Sequence, residues 1–312
     1  MLTMEKKIIQ LMGTVITMVV HHQNAAALLA DAEQQLIDYE QRFSANNPSS
    51  ALMQINNQAG KSPVIVDTDL FELIAIGKRE SLVADSLLNI AIGPLVKAWK
   101  IGFAGAQHPP EAVIAECRQL IDPHHIQLDE ERKTVFLEKE RMEVDLGALA
   151  KGYFADRIVE VFKRQGASAG FIDLGGNVLT FGENPASEDG LWRVGIQNPQ
   201  LPRGNYALVL KLKNQSIVTS GVYERKLEVA GRKYHHIFDG QTGYPVQSDV
   251  ASLTIVTEQS LEGEIGSTRL FGKRAAEIIR TLNSTAEIEG IVITEHNELA
   301  VTDALRAYME HL

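Results

Sequence analysis

Residues 206–231 read YALVLKLKNQSIVTSGVYERKLEVAG. Three β-type runs, YALVLKLK, SIVTS and KLEVAG, follow one another with polar turns between them. Strands and helices therefore do not alternate strictly, as a doubly wound sheet would require. The same pattern extends outward through TVFLEK, MEVDL, GFIDL, WRVGIQ and ASLTIVT. VAGRKYHHI predicts a hairpin turning at Ala230–Gly231, and EGIVITEHNELAVT another turning at His296–Asn297. Helical spacing marks residues 24–43, 69–85, 110–121, 149–165 and a stretch around 264–283. The reading is α+β, with mixed, mainly antiparallel sheets and packed helices, in one domain over residues 1–312.

The chain has 312 residues, 45% of them hydrophobic and 22% charged, enough for a core without staples. Its net charge of −10 argues against nonspecific nucleic-acid or anionic-membrane binding. An anionic ligand would have to be met by local cations or a metal. Cys117 is the only cysteine, so an intramolecular disulfide and a multi-cysteine metal site are both excluded. It sits in the helical pattern EAVIAECRQLI and reads as a buried structural thiol. IIQLMGTVITMVV, residues 8–20, is too short to span a bilayer and predicts a buried strand. It lacks a small-residue cleavage pattern, and no cysteine near the start could carry a lipid anchor. The expectation is a cytoplasmic protein; the alternative is an exported one whose signal has been removed. NNPSSALMQINNQAGKSP predicts a surface loop.

Four stretches carry chemistry. DLGALAKG, residues 145–152, places Asp145 and Lys151 around a bare turn before a helix whose Phe154, Ile158, Val161 and Phe162 share a face and which Gly166 ends. Free N–H groups and the helix dipole at such an entry favour anions. DLGGNVLTFG, residues 173–182, sets Gly175 and Gly176 after a strand, but it is neither GxGxxG nor GxxxxGK[ST]. Residues 219–246 gather Ser220, Tyr223, Glu224, Arg225, His235, His236, Asp239 and Thr242. There a histidine with an aspartate three positions on can supply a base and its orienting group. In EGEIGSTRLFG, Glu264, Ser267 and Thr268 fall at i, i+3 and i+4 and share a helix face. A carboxylate and two hydroxyls are hard oxygen ligands suited to Mg²⁺ or Ca²⁺, although a capped helix explains the spacing equally well.

In this order the blocks resemble the ApbE family, the FAD:protein FMN transferases. The resemblance runs through LMGTVITM, FSANNPSSALMQIN, NIAIGPLVKAWKIG, DLGALAKGYFADRI, GFIDLGGNVLTFG, TSGVYER, YHHIFDGQTGYPV and GSTRLFG. It implies an α+β fold related to the T-fold. It also implies Mg²⁺-dependent cleavage of the FAD pyrophosphate, release of AMP, and attachment of FMN through its phosphate to a Ser or Thr hydroxyl of an acceptor protein. Met12, Asp145, Lys151 and Phe238 then match flavin-contact positions, and Met12-Gly13-Thr14 falls in the family's first strand. The Ala148 carbonyl, Glu264, Ser267 and Thr268 would hold Mg²⁺. His236 matches the proposed base, with Asp239 beside it as the second catalytic candidate.

The departures from the family pattern lie on the ligand side. Glu264 stands where the family has Asp, and Gly266 is expected to let the local backbone recede for the longer side chain. Asn46 stands where a tyrosine often meets the flavin. Ser86-Leu87-Leu88-Asn89 aligns with a G-A-[FM]-D block, placing Leu87, Leu88 and Asn89 at flavin-contact positions without the acid. Val222 replaces Asp in TSGDYER. Two alternatives therefore stand beside the transferase: an FAD pyrophosphatase giving FMN and AMP, and a flavin-binding protein without catalysis.

Overall fold

The computed structural model describes residues 2–229 and 231–310. Eight strands form one sheet in chain order: β1 (Thr3–Leu11), β2 (Thr14–His22), β3 (Ala169–Leu174), β4 (Asn177–Phe181), β5 (Ser216–Gly221), β6 (Val250–Thr257), β7 (Glu289–Thr294) and β8 (Leu299–Val301). Every neighbouring pair is antiparallel. The helices are α1 (Ala25–Phe43), α2 (Ala51–Asn57), α3 (Thr68–Ser81), α4 (Gly93–Trp99), α5 (Glu111–Arg118), α6 (Ala150–Arg164), α7 (Ser260–Leu270) and α8 (Ala275–Asn283). A smaller sheet joins Trp192–Gln197 to Tyr206–Leu212 and Met309–Glu310; another joins Val64–Ile65, Thr134–Leu137 and Ile126–Asp129. The architecture is α+β and mainly antiparallel. No helix among the described residues is long and apolar enough to cross a membrane.

Alternation sets the layers. Ile16, Met18 and Val20 of β2, with Ile172 and Leu174 of β3, face a core shared with α1, α3 and α6. There Tyr39 stacks on Phe154 at 4.5 Å, 7° between planes, and Phe43 meets Phe154 edge-on. The opposite face, through Ile217, Val256, Ile291 and Ile293, packs against Ile196, Leu208 and Leu210 of the first smaller sheet. Cys117 is buried, as its helical pattern implied.

Four expectations need correction. Residues 8–20 are not one buried strand; they cross the β1–β2 hairpin, whose turn is Met12–Gly13 with φ of 53° and 70°. The apolar composition concealed that turn, and β1 is an exposed edge, with Ile8 57% exposed. Residues 51–57, assigned to loop, form α2, capped by Ser50 accepting the Met53 N–H at 2.9 Å. MEVDL forms no regular strand, only an isolated parallel bridge of Glu143 to Ile92 beside the Asp145 N–H donated to the Ile90 carbonyl at 2.8 Å. Instead the Asn56 side chain takes the Val144 N–H at 2.8 Å and donates to its carbonyl at 3.1 Å. The stretch around 264–283 divides into α7 and α8, with a break from Phe271 to Arg274. The 226–235 hairpin pairs Val229 with Arg232 as predicted; its turn residue Ala230 lies outside the described residues.

The closest approach of two helices places the site. At Gly152 an added Cβ would come within 2.7 Å of the Ser260 carbonyl and 2.8 Å of both the Leu261 Cα and the Glu264 Cγ. So it is Gly152 that makes room for Glu264. Gly266, credited with that role from the sequence, has its nearest neighbour at 3.6 Å. Gly152→Ala is expected to cost about 1–3 kcal/mol through overpacking. Gly266→Ala, in an open helix interior, should gain about 0.5–1 kcal/mol. Urea unfolding of both variants checks this; equal stabilities would place the helix contact elsewhere.

Candidate active site

A cavity of 1290 Å³ opens where the sheet's turns meet the starts of α4 and α6. Of the residues given flavin-contact, metal or catalytic roles from sequence, Met12, Asn46, Leu87, Asn89, Asp145, Ala148, Lys151, His236, Phe238, Glu264 and Thr268 line it. Three do not. Leu88 is 1% exposed and sits in the core beside Ile90. Ser267 is fully buried, donating to the Glu264 carbonyl at 3.1 Å and accepting from the Ser220 hydroxyl at 3.1 Å. Asp239 closes a turn: its carboxylate accepts the Gln241 N–H at 2.8 Å and the Thr242 hydroxyl at 3.0 Å. Phe238, bridged to Pro245, lies between His236 and Asp239, and among the described residues no hydrogen bond joins those two side chains.

Helix α7 enters the site through a relay of buried polar groups. Asp156 of α6 accepts the Ser260 N–H at 2.7 Å and the Leu261 N–H at 2.9 Å, satisfying two donors that the start of α7 would otherwise orphan. Burial pushes the Asp156 carboxyl up to about 6, against those two hydrogen bonds. The Ser216 hydroxyl donates to Ser260 at 3.0 Å, Ser260 to the Asn177 carbonyl oxygen at 2.5 Å, and the Asn177 amide to Glu264 Oε1 at 2.9 Å. Lys151 Nζ lies 3.7 Å from the same carboxylate oxygen. Glu264 is thus 4% exposed yet fully partnered on one oxygen, and it still reaches the cavity.

The hairpin turn is fixed from below. Glu40 of α1 accepts the Met12 N–H at 2.8 Å, which holds that left-handed residue over the cavity. Asp145 accepts the Gly147 N–H at 2.7 Å; burial raises its pKa, partly offset by that bond and by Arg225 and Lys97. Asp173 shows the same direction for the same cause, opposed by the Gly176 N–H at 2.8 Å and the charges of Lys151 and Arg203.

The two adjacent histidines differ. His235 accepts the Ile237 N–H on Nδ1 at 3.2 Å and donates Nε2–H to the Val246 carbonyl at 2.8 Å. Its ring is satisfied and packs on Phe271. His236 has a buried Nδ1 with no partner, and it lines the cavity. Burial lowers its pKa to about 4, with the Arg225 charge adding to the effect. It is a neutral imidazole lining the cavity, suited to taking a proton from a hydroxyl.

Sequence reasoning missed Glu40, Asp156, Asp173, Asn177 and Arg203. Asp173 begins the DLGG block and was legible there; Asn177 meets its partner 87 residues away and was not.

A profile of the ApbE family matches residues 12–292. The chain belongs to the ApbE family. It is 38% identical over 297 residues to an FAD:protein FMN transferase of Klebsiella pneumoniae, covering 95% of this chain and 91% of that protein. An FAD:protein FMN transferase of Treponema pallidum is 35% identical, covering 78% of this chain and 71% of its own length. The chain is therefore an enzyme of the transferase class. The crystal structure of the ApbE protein from Thermotoga maritima has the same fold, with a TM-score of 0.89, 23% identity, and coverage of 99% of this chain and 100% of that one. The apo flavinyl transferase ApbE of Pseudomonas stutzeri gives a TM-score of 0.84 at 22% identity, covering 98% and 97%.

The His236 pKa is lowered in the fold from the ordinary 6.5 to about 4. Its neutral form therefore favours folding above the ordinary value, and that stability is lost as pH falls through about 4. Ring-nitrogen NMR should show His236 unprotonated between about pH 5.5 and 8, where an ordinary imidazole titrates. A midpoint near the ordinary value would contradict the burial.

Proposed function

We propose that this chain transfers FMN from FAD to a Ser or Thr hydroxyl of a protein acceptor, releasing AMP, with Mg²⁺ as the metal. The observation that carries the reading is His236, an imidazole kept neutral by burial, lining the same cavity as the Lys151–Glu264 pair. In the transfer, the acceptor hydroxyl oxygen bonds to the FMN phosphorus while the pyrophosphate bridge P–O bond breaks. AMP leaves with that bond's electron pair, and the hydroxyl proton passes to the His236 imidazole. Lys151 supplies a cation to phosphate oxygens at the start of α6, where the chain's net charge of −10 offers none in bulk.

The donors suit a small hard cation. Glu264 presents a carboxylate and Thr268 a hydroxyl to the cavity. The Ala148 carbonyl there accepts no hydrogen bond among the described residues. These three would hold Mg²⁺, and the buried Ser267 would support Glu264 from behind. Bound there, Mg²⁺ neutralises charge on pyrophosphate oxygens.

The test incubates the protein with FAD and Mg²⁺, with and without an acceptor protein, and measures AMP, free FMN and protein-linked flavin. AMP should appear together with linked flavin, and EDTA should abolish both. His236→Ala should cut linkage about a hundredfold while FAD still binds. Lys151→Ala should weaken FAD binding with little change in the melting temperature of the free protein. AMP with free FMN and no linked flavin would identify a pyrophosphatase instead. Near-normal linkage by His236→Ala would remove it as the base.

A further inference from the structure

The cavity has an arm that none of the residues assigned so far explains. Six consecutive residues, Trp192 to Gln197, all line it. Successive residues of a strand point to opposite faces, so a cavity that meets all six meets the strand edge-on. That edge is open. Trp192–Gln197 pairs with Tyr206–Leu212 on one side and ends the smaller sheet on the other. Apart from its pairing with 206–212, no backbone hydrogen bond among the described residues involves Val194, Gly195 or Ile196. In an antiparallel pair every second residue of such a strand turns its N–H and C=O outward. An unpaired row of this kind is a template for one more strand.

The arm continues into the site already described. Its floor is one face of the main sheet, where Phe171 of β3, Val178 and Thr180 of β4, and Ile217 and Thr219 of β5 line the same cavity. Trp192 meets Phe171 edge-on at 5.4 Å and closes one end. At the other end Gln197 ties down the loop that follows, donating to the Leu201 and Pro202 carbonyls and accepting the Gly204 N–H at 3.0 Å. Arg203 of that loop pairs with Glu224 at 2.7 Å. Glu224 precedes Arg225, whose charge acts on His236. The edge therefore leads from open surface toward the base. The whole volume of 1290 Å³ also exceeds the roughly 300–1,000 Å³ of a pocket for one small molecule.

We infer that the edge strand 192–197 binds the acceptor as an extended segment, added as a further strand, with alternate side chains resting on Phe171 and Val178 and its Ser or Thr delivered to His236. The inference rests on the transferase reading and names what that reading leaves open: the acceptor is recognised as a short unfolded stretch, through its backbone. Strand addition supplies affinity from main-chain hydrogen bonds and leaves selectivity to alternate side chains. Six residues of strand span about 20 Å, so a dozen residues suffice for the segment.

The experiment uses a displayed library of twelve-residue peptides, each with one central Thr, with FAD and Mg²⁺; flavin fluorescence on the peptide and AMP release are the readouts. Val194→Pro and Gly195→Pro are both made. One of these two N–H groups points to the open edge and the other into the ladder with 206–212. The edge-facing replacement is the one that keeps the wild-type melting temperature. That variant should bind FAD as wild type does and label peptides at least tenfold more slowly. Peptides labelled by wild type should lose labelling when N-methylated at alternate positions and keep it at the intervening ones. Equal labelling by the folded proline variant, or indifference to N-methylation, would overturn the edge while leaving the transferase reading intact. AMP release without any labelled peptide would overturn recognition of an extended segment. No AMP from FAD under any condition would sink the transferase reading itself.

Discussion

The site depends on the crossing of α6 and α7 at Gly152, where the absence of a side chain lets Glu264 and the Ser260 carbonyl come against the α6 backbone. Within one turn of that contact α6 provides Lys151, which faces Glu264, and Asp156, which caps α7 through two backbone N–H groups. The helices are therefore fixed in rotation as well as in distance. Asn177 and Ser260 carry the same constraint into the sheet through Ser216. Burying this many polar groups is favourable only when each finds its partner, and a half-satisfied network would be worse than an apolar one. That requirement makes the position of the Glu264 carboxylate specific.

Electrostatics in the cavity follow from burial more than from net charge. Asp145 and Asp173 have raised pKa values because water is excluded, and the cations Lys151, Arg203 and Arg225 offset part of that cost. The same exclusion keeps His236 neutral, and Arg225 works in the same direction. An anion entering here meets cations whose carboxylate partners are themselves held by hydrogen bonds. The charge is supplied locally by side chains on α6 and on the loops after β5 and Gln197.

Much of the fold was legible in the sequence because it is written in local periodicity. The runs in 206–231, the apolar stripes of α1, α3 and α6, and Gly166 after α6 all appear as read. The failures share a cause: a partner distant in sequence replaced the local rule. Val144 joins no strand because Asn56 takes the place of a neighbouring one. Met12 adopts a left-handed turn held by Glu40, inside a stretch whose composition reads as continuous strand. In the site, the sequence marked His236, which lines the cavity, but the aspartate three positions on is taken up by its own turn with Gln241 and Thr242. Asn177 and Asp156 lie inside quoted blocks but do not line the cavity, and no local rule marks their roles; only the tertiary fold shows what they hold.

If that relay sets the position of Glu264, then Asn177 acts on the reaction through Glu264 alone. A double-mutant cycle of Asn177→Ala and Glu264→Gln, read as the rate of flavin transfer per folded molecule with FAD affinity measured alongside, tests this directly. Each single variant should slow transfer without weakening FAD binding in proportion, and the double variant should be no slower than Glu264→Gln alone. Losses that simply multiply would contradict it, showing that Asn177 and Glu264 contribute independently and that the buried relay does not organise the site.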